Sequence, residues 1–266
     1  MKRRGRPKKN ITEPTHIQID FSQIVKLKDI VIDERMFDQM KSGLVLDELI
    51  SHEGGIPSAT NIMVIGDPGI GKTTLLLDLI ASVQFKDPSK KCLFISGEMG
   101  KKQMFKYTQR FPQFGVLDTM FISDFTDHNT KDVMEQVLSK GYDLVLIDSI
   151  AEVLEGVRND NGWDRKTAES WLVDECVKNN KGDNTTNKFS TFLLIQQVTK
   201  GGVFVGSNKL KHMVDAAAEI RREKENDGTY IEFTKNRNGN IENKLYFQLT
   251  GTQIIYSNVK AEVEVN

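Results

Sequence analysis

Fourteen consecutive residues of this 266-residue chain have the types and spacing to hold a row of phosphates: Asn-Ile-Met-Val-Ile-Gly-Asp-Pro-Gly-Ile-Gly-Lys-Thr-Thr, Asn61 to Thr74. An apolar, strand-like run ends at Gly66, and Gly71, Lys72 and Thr73 complete the pattern G-x-x-x-x-G-K-[ST]. Three glycines and Pro68 let the backbone wrap an anion with its N–H groups turned inward. Lys72 can reach the β- and γ-phosphates, and the Thr73 hydroxyl can sit on Mg²⁺. A helix predicted from Leu75 to Val83 starts at the same point and adds its positive N-terminal end. Gly66, Asp67, Pro68, Gly69, Ile70, Gly71, Lys72, Thr73 and Thr74 are therefore the candidate nucleotide-binding residues.

Two carboxylates stand where hydrolysis would need them. Tyr142-Asp143-Leu144-Val145-Leu146-Ile147-Asp148-Ser149 is an apolar run ending in an acid, and ligands of open parallel sheets sit at the carboxyl ends of strands. Asp148 is thus placed, with Thr73, to hold the Mg²⁺ hydration shell. Glu98 follows Cys-Leu-Phe-Ile-Ser-Gly, again at the end of an apolar run. A carboxylate there can contact a water in line with the γ-phosphate, or simply open a helix, where acids are favoured. Gln196 and Gln197 end a further run, Phe192 to Ile195. Their amides can hydrogen-bond a γ-phosphate or merely cap a strand.

The elements that must position these groups alternate. Strands are expected at Cys92–Ser96, Met120–Ser123, Leu144–Ile147 and Phe192–Gln196. Helices are expected at Lys101–Arg110, Lys131–Ser139 and Thr167–Val177. Continuous apolar strands separated by helices predict a parallel sheet covered on both faces. The rhythm then changes. Ala216–Arg222, Tyr230–Lys235, Lys244–Leu249 and Gln253–Tyr256 read as consecutive strands, with turns at Asp227-Gly228, Asn238-Gly239 and Gly251. The fold class expected is α/β, a mostly parallel sheet extended by antiparallel C-terminal strands. Glu34 to Ile50 is partly helical in its apolar spacing. The organisation expected is an arm over 1–10, a lead-in over 11–33, a catalytic domain over 34–258 and a frayed tail over 259–266.

Two cysteines far apart, Cys92 and Cys176, make neither a disulfide framework nor a zinc cluster, so a reducing intracellular setting is expected. No run is long enough to cross a bilayer, and no membrane partner is expected. The formal net charge of −1 hides an asymmetry. Six of the 36 basic residues (Lys2, Arg3, Arg4, Arg6, Lys8 and Lys9) lie in residues 1–9 with no acid, leaving 30 basic against 37 acidic side chains, a balance of −7. An acidic body with a basic arm predicts a polyanion partner. Arg-Gly-Arg-Pro flanked by lysines is similar to an AT-hook, which reads the narrow minor groove of A·T-rich duplex DNA. A generic cationic tail on phosphates is the other reading.

Taken in order, these pieces resemble the RecA-like ATPases, and within them the RadA/Sms branch and its DnaB-type helicase relatives. The matching segments are Gly-Asp-Pro-Gly-Ile-Gly-Lys-Thr-Thr, Phe-Ile-Ser-Gly-Glu, Leu-Val-Leu-Ile-Asp-Ser, Gln-Val-Thr-Lys-Gly-Gly, Leu-Lys-His-Met-Val-Asp and Lys-Asn-Arg-Asn-Gly, covering roughly residues 34–256. The resemblance implies ATP and Mg²⁺ as cofactors, with Glu98 polarising water and Gln197 at the γ-phosphate sensing position. It implies two channel loops on DNA, one over 155–165 with Arg158 and Arg165, the other over 200–209 with Lys200 and Lys209. Lys235 and Arg237 match cations that reach a neighbouring subunit's nucleotide, the arginine-finger role. It also implies a homo-oligomeric, hexameric ring around single-stranded DNA, acting in recombination or replication in the cytoplasm of a bacterial or phage-infected cell. Two departures stand out: Asn238 replaces an aromatic usual in RadA, and Gln197 a histidine. A nucleotide-switched DNA-binding protein and a filament-forming strand-exchange protein are the alternative functions.

Overall fold

The computed structural model of the chain describes residues 24–197, 210, 213–223, 228–241 and 243–257. The chain divides into two compact units, Met1–Asp33 and Glu34–Asn266. The described part of the first holds a short 3-10 turn, Leu27–Asp29, with Leu27 and Val31 largely exposed.

The second unit carries the remaining elements. In chain order they are β1 (Gln39–Met40), α1 (Leu46–Ile50), β2 (Ile56–Pro57), β3 (Asn61–Gly66), α2 (Lys72–Lys86), β4 (Cys92–Ser96), α3 (Lys101–Arg110), β5 (Asp118–Phe121) and α4 (Thr130–Leu138). There follow β6 (Leu144–Asp148), α5 (Ile150–Asn161), α6 (Arg165–Asn180), β7 (Thr191–Gln197), β8 (Ala216–Arg222), β9 (Thr229–Asn236), β10 (Lys244–Leu249) and β11 (Ile254–Ser257). Among the described residues β1 and β2 form a small ribbon, and nine strands form one sheet in the order β11-β10-β9-β8-β3-β7-β6-β4-β5. From β8 to β5 every pairing is parallel; from β8 outward to β11 every pairing is antiparallel.

The strands are apolar throughout because successive side chains point to opposite faces and both faces are covered. Along β3, Ile62 and Val64 join the α2 side of the core, with Leu75, Leu79, Phe94 and Ile195. Met63 and Ile65 join the α5 and α6 side, with Ile95, Ile147, Leu172 and Cys176. The helices thus cover both faces, and the mostly parallel sheet with an antiparallel C-terminal extension is the fold expected from the sequence.

Some local expectations are corrected. The segment 155–165, read as a channel loop, is mostly helix: α5 runs to Asn161, Gly162 closes it in the left-handed conformation, and Asp164 caps α6 through Thr167 N. Ile150, Val153, Leu154 and Val157 follow the i, i+3, i+4, i+7 spacing of a helix and are all buried. β5 begins at Asp118, and Ile122–Phe125 is a 3-10 turn rather than a strand end. Helix in the 34–50 region is confined to a 3-10 turn at Glu34–Phe37 and to α1, because Gly43 takes a left-handed φ of 79°.

Candidate functional site

The phosphate-binding loop joins the end of β3 to the start of α2, at the carboxyl end of the parallel strands. Gly71 caps α2 at φ 106°, and a Cβ built there would lie 2.4 Å from Leu249 Cδ1 on β10. A Cβ on Gly66 would meet the Ile220 carbonyl oxygen at 2.8 Å. These close approaches explain why glycine stands at both positions, and they show β8 and β10 packed against the loop.

Inside this wrap Lys72 is 6% exposed, its Nζ donating to the carbonyls of Gly66 at 2.8 Å and Asp67 at 2.9 Å. Burial draws the ammonium's pKa down, while Asp148, Glu98 and Asp67 oppose that shift. Thr73 Oγ1 donates to Asp148 Oδ2 at 2.5 Å. Asp148, 3% exposed, has its carboxyl pushed up to about 6 by burial, helped by the Glu98 charge and opposed by Thr73 and Lys72. The Thr73 and Asp148 oxygens make the hard, two-point set that Mg²⁺ uses when phosphates and waters complete its shell. Among the described residues no group of three or more His, Cys, Asp or Glu could hold a metal by itself. The donor set fits that kind of Mg²⁺.

Glu98 lies two residues past β4, which pairs with β6 so that Ser96 faces Asp148. Gly97 N donates to the Asp148 carbonyl at 2.7 Å, and a Cβ on Gly97 would touch Glu152 Cβ at 3.0 Å. The exposed Glu98 therefore sits over the same strand end as Asp148, and its charge helps raise the Glu152 carboxyl, after burial as the main cause. Gln197 ends β7 opposite Gly66; its side chain lies outside the described residues. Gln196 is buried.

The two candidate finger residues are elsewhere. β9 runs antiparallel to β8, placing Lys235 opposite Ala217 and Asn236 opposite Ala216, level with the start of β3. Lys235 Nζ donates to Val214 O at 2.5 Å, and Arg237 pairs with Asp215 at 3.0 Å, its side chain 64% exposed. Asp215 in turn accepts from Asn61 N at 3.0 Å. Arg237, level with Asn61, is thus separated from its own Gly66 by the whole of β3, about 17 Å at 3.3–3.4 Å per residue, and Lys235, level with Met63, by about 10 Å along the strand. The turn beyond them is held by Asn236 Nδ2 on Ile50 O and His52 N on Asn238 O.

Arg158 lies exposed on α5, and Arg165 begins α6, bonded to Glu169 at 2.8 Å. The other expected nucleic-acid residues, Arg3, Arg4, Arg6, Lys8, Lys9, Lys200 and Lys209, lie outside the described residues. One feature escaped the sequence reading altogether. β10 and β11 are strapped to the loop helix by Leu249 on Gly71 and by Tyr256 Oη on Asp78 at 3.5 Å, and the turn between them to α3 by Arg110 on the carbonyls of Thr250 and Gly251. No local pattern marks a long-range pairing of this kind.

A phosphate-binding loop after β3 and an acid-tipped strand β6, with β7 between them, at the carboxyl end of this sheet define a P-loop ATPase of RecA-like fold. The chain belongs to the AAA domain family, whose profile matches residues 45–202. It is similar to DNA repair protein RadA from Halalkalibacterium halodurans, at 32% identity over 74% of this chain and 40% of that one. It is also similar to RadA from Listeria monocytogenes, at 29% over 76% of this chain and 42% of the relative. A third RadA, from Campylobacter jejuni, shows 25% identity over 93% of this chain and 52% of the relative. The chain spans about half the length of these relatives or less. Among solved structures, a KaiC-like protein from Pyrococcus horikoshii superposes with a TM-score of 0.63 at 17% identity, over 83% of this chain and 99% of that one. The flagellar accessory protein FlaH from Methanocaldococcus jannaschii gives 0.61 at 11%, over 82% and 99%. These two likenesses concern the fold.

Proposed function

We propose that this chain is an ATP-driven motor on single-stranded DNA, working as a homo-oligomeric ring with six subunits in recombination or replication. The observation that carries the reading is the division of charged groups between the two ends of β3. Lys72, Thr73, Asp148 and Glu98 meet at one end, whereas Arg237 lies about 17 Å away at the other and Lys235 about 10 Å from Gly66 along the strand. Arg237 therefore has no route to its own loop, and head-to-tail packing of copies would bring it to a neighbour's. The RadA relatives are named as DNA repair proteins, which supports DNA as the track.

Each residue then has a task. Lys72 exchanges the Gly66 and Asp67 carbonyls for phosphate oxygens. Thr73 and Asp148 would hold Mg²⁺, which when bound offsets the charge of the phosphates. Glu98 orients the attacking water and accepts its proton. Gln197, whose backbone is level with Gly66, registers the γ-phosphate in this reading, and Arg237 with Lys235 offsets charge developing on a neighbour's phosphoryl group.

The test is ATP turnover with and without single-stranded DNA. Stimulation by DNA, with a loss of about 100-fold or more in Glu98→Gln, is the expected result. Equal slow turnover with and without DNA would instead make the nucleotide an assembly switch.

A further inference from the structure

Helix α3 carries a charge pattern that the hydrolytic site does not use. Its ten residues, Lys-Lys-Gln-Met-Phe-Lys-Tyr-Thr-Gln-Arg, contain four cations and no acid, and Met104 is the one side chain it buries. It starts where Gly100 N donates to Gln103 Oε1 and ends before Phe111-Pro112. Two of the cations are committed locally: Lys101 pairs with Asp124 at 2.8 Å, and Arg110 donates to the 250–251 turn. Lys102 and Lys106 pair with no carboxylate of the described residues, and Phe105 between them is 63% exposed. Residues 102, 105, 106 and 109 share one helix face, so two ammonium groups, a phenyl ring and the Gln109 amide stand side by side. A single exposed phenylalanine is ordinary. One framed by unpaired cations, on an acid-free helix of a body whose balance is −7, is a particular chemistry.

We infer that the exposed face of α3 binds single-stranded nucleic acid, with Lys102 and Lys106 on phosphates and Phe105 stacked on a base. A polyanion satisfies the cations; a polyanion with open π-faces also uses the ring. In a duplex those faces are covered by neighbouring bases, which leaves Phe105 idle, and an acidic protein segment would leave it idle as well. Amide donors at Gln103 and Gln109 add sequence-independent contacts to the backbone. This surface stands apart from the motor reading, since it requires no nucleotide turnover. Because α3 begins three residues after Glu98, a strand lying on it would also pass beside the hydrolytic carboxylate.

The test uses the full chain and fluorescein-labelled oligo(dT), titrated without nucleotide at about 50–200 mM salt. Removing two phosphate contacts, in the double variant Lys102→Gln and Lys106→Gln, should make the slope of log K against log salt less negative by about 1.4. Phe105→Ala should weaken binding about tenfold with less change of slope. Photocrosslinking of oligo(dT) to the parent chain should place an adduct within 101–110, which requires no variant to fold. Parent-like binding by both variants with no crosslink on α3 would overturn the inference. So would loss of assembly in light scattering with binding per subunit unchanged, which would make this face a contact between copies. Because no turnover is measured, failure here leaves the motor reading intact, and a failed motor assay leaves this one intact.

Discussion

The two ends of β3 handle charge in opposite ways. At Gly66 the charged groups are buried and tied to one another: Lys72 on backbone carbonyls, Thr73 on Asp148, with 6% and 3% of Lys72 and Asp148 in reach of solvent. At Asn61 the Arg237 guanidinium is exposed, and among the described residues its side chain pairs with the half-buried Asp215 alone. A pair of that kind is worth about 0–1 kcal/mol and releases its arginine readily. One end therefore encloses its lysine among backbone carbonyls and a carboxylate, while the other leaves a guanidinium open to solvent.

The largest effects should come from breaking this division. Lys72→Ala removes the cation that meets the phosphates and should abolish turnover in every assembly made of it alone. Arg237→Ala should cost about 10³-fold or more, the scale of an arginine finger, while leaving nucleotide binding at the altered subunit's own loop unchanged. Mixing the two inactive chains is the sharper measurement. An interface pairing an intact Lys72 with an intact neighbouring Arg237 should recover activity in proportion to its frequency. No recovery at any ratio would place both residues in one site and erase the contrast between the ends of β3.

A smaller effect, on stability, compares two glycines of the loop. Gly69 (φ 76°) and Gly71 (φ 106°) both require left-handed backbone, yet a Cβ on Gly69 would meet nothing, while one on Gly71 would meet Leu249. Gly69→Ala should carry only the conformational cost, about 1–2 kcal/mol. Gly71→Ala should cost more, up to about 3 kcal/mol. Adding Leu249→Ala should lessen the penalty of Gly71→Ala without a matching benefit to Gly69→Ala. Denaturant melts of these variants and the parent read this directly, and equal costs at the two glycines would show that β10 does not press on the loop.

How far the sequence discloses such features depends on their range. The loop at 66–73, the acid at Asp148 and the alternation of β4 to β7 are legible because each rests on a local pattern, a fixed spacing or an unbroken apolar run. Their placement in one site follows from topology, since parallel strands bring their carboxyl ends together. The helix at 150–161 is legible in the spacing of Ile150, Val153, Leu154 and Val157, although the family resemblance implies a loop over 155–165. The contacts of Leu249, Tyr256 and Arg110 all join residues about 140–180 positions apart. Nothing in their neighbours announces them, because they arise only when the antiparallel strands fold back across α2 and the end of α3. The position of Lys235 and Arg237 is intermediate: the hairpin was readable, but that its tip lies opposite the loop needed the register of β8 with both β3 and β9.

The smallest predicted effect concerns the point where that late extension meets the helix of the loop. Asp78 is buried on α2, accepting from Gln113 Nε2 at 3.1 Å and from Tyr256 Oη at 3.5 Å. Burial holds its carboxyl above the usual range, and the two donors only partly oppose that. A carboxyl raised by folding favours the native state below its unfolded pKa, and that contribution is lost as pH rises through the folded value. The parent chain should therefore lose ground to Asp78→Asn as the pH is raised from about 4 toward 8, through and above the ordinary carboxylate range. Gln113 and Tyr256 donate to different oxygens of Asp78, so the amide of that variant keeps an oxygen for only one of them; because it cannot ionise, the pH dependence of its curve serves as the reference. Thermal melts across that range should show the gap between the two chains widening with pH. Parallel curves would mean that water reaches Asp78, and that the strap from β11 to α2 is looser than the close contact of β10 at Gly71.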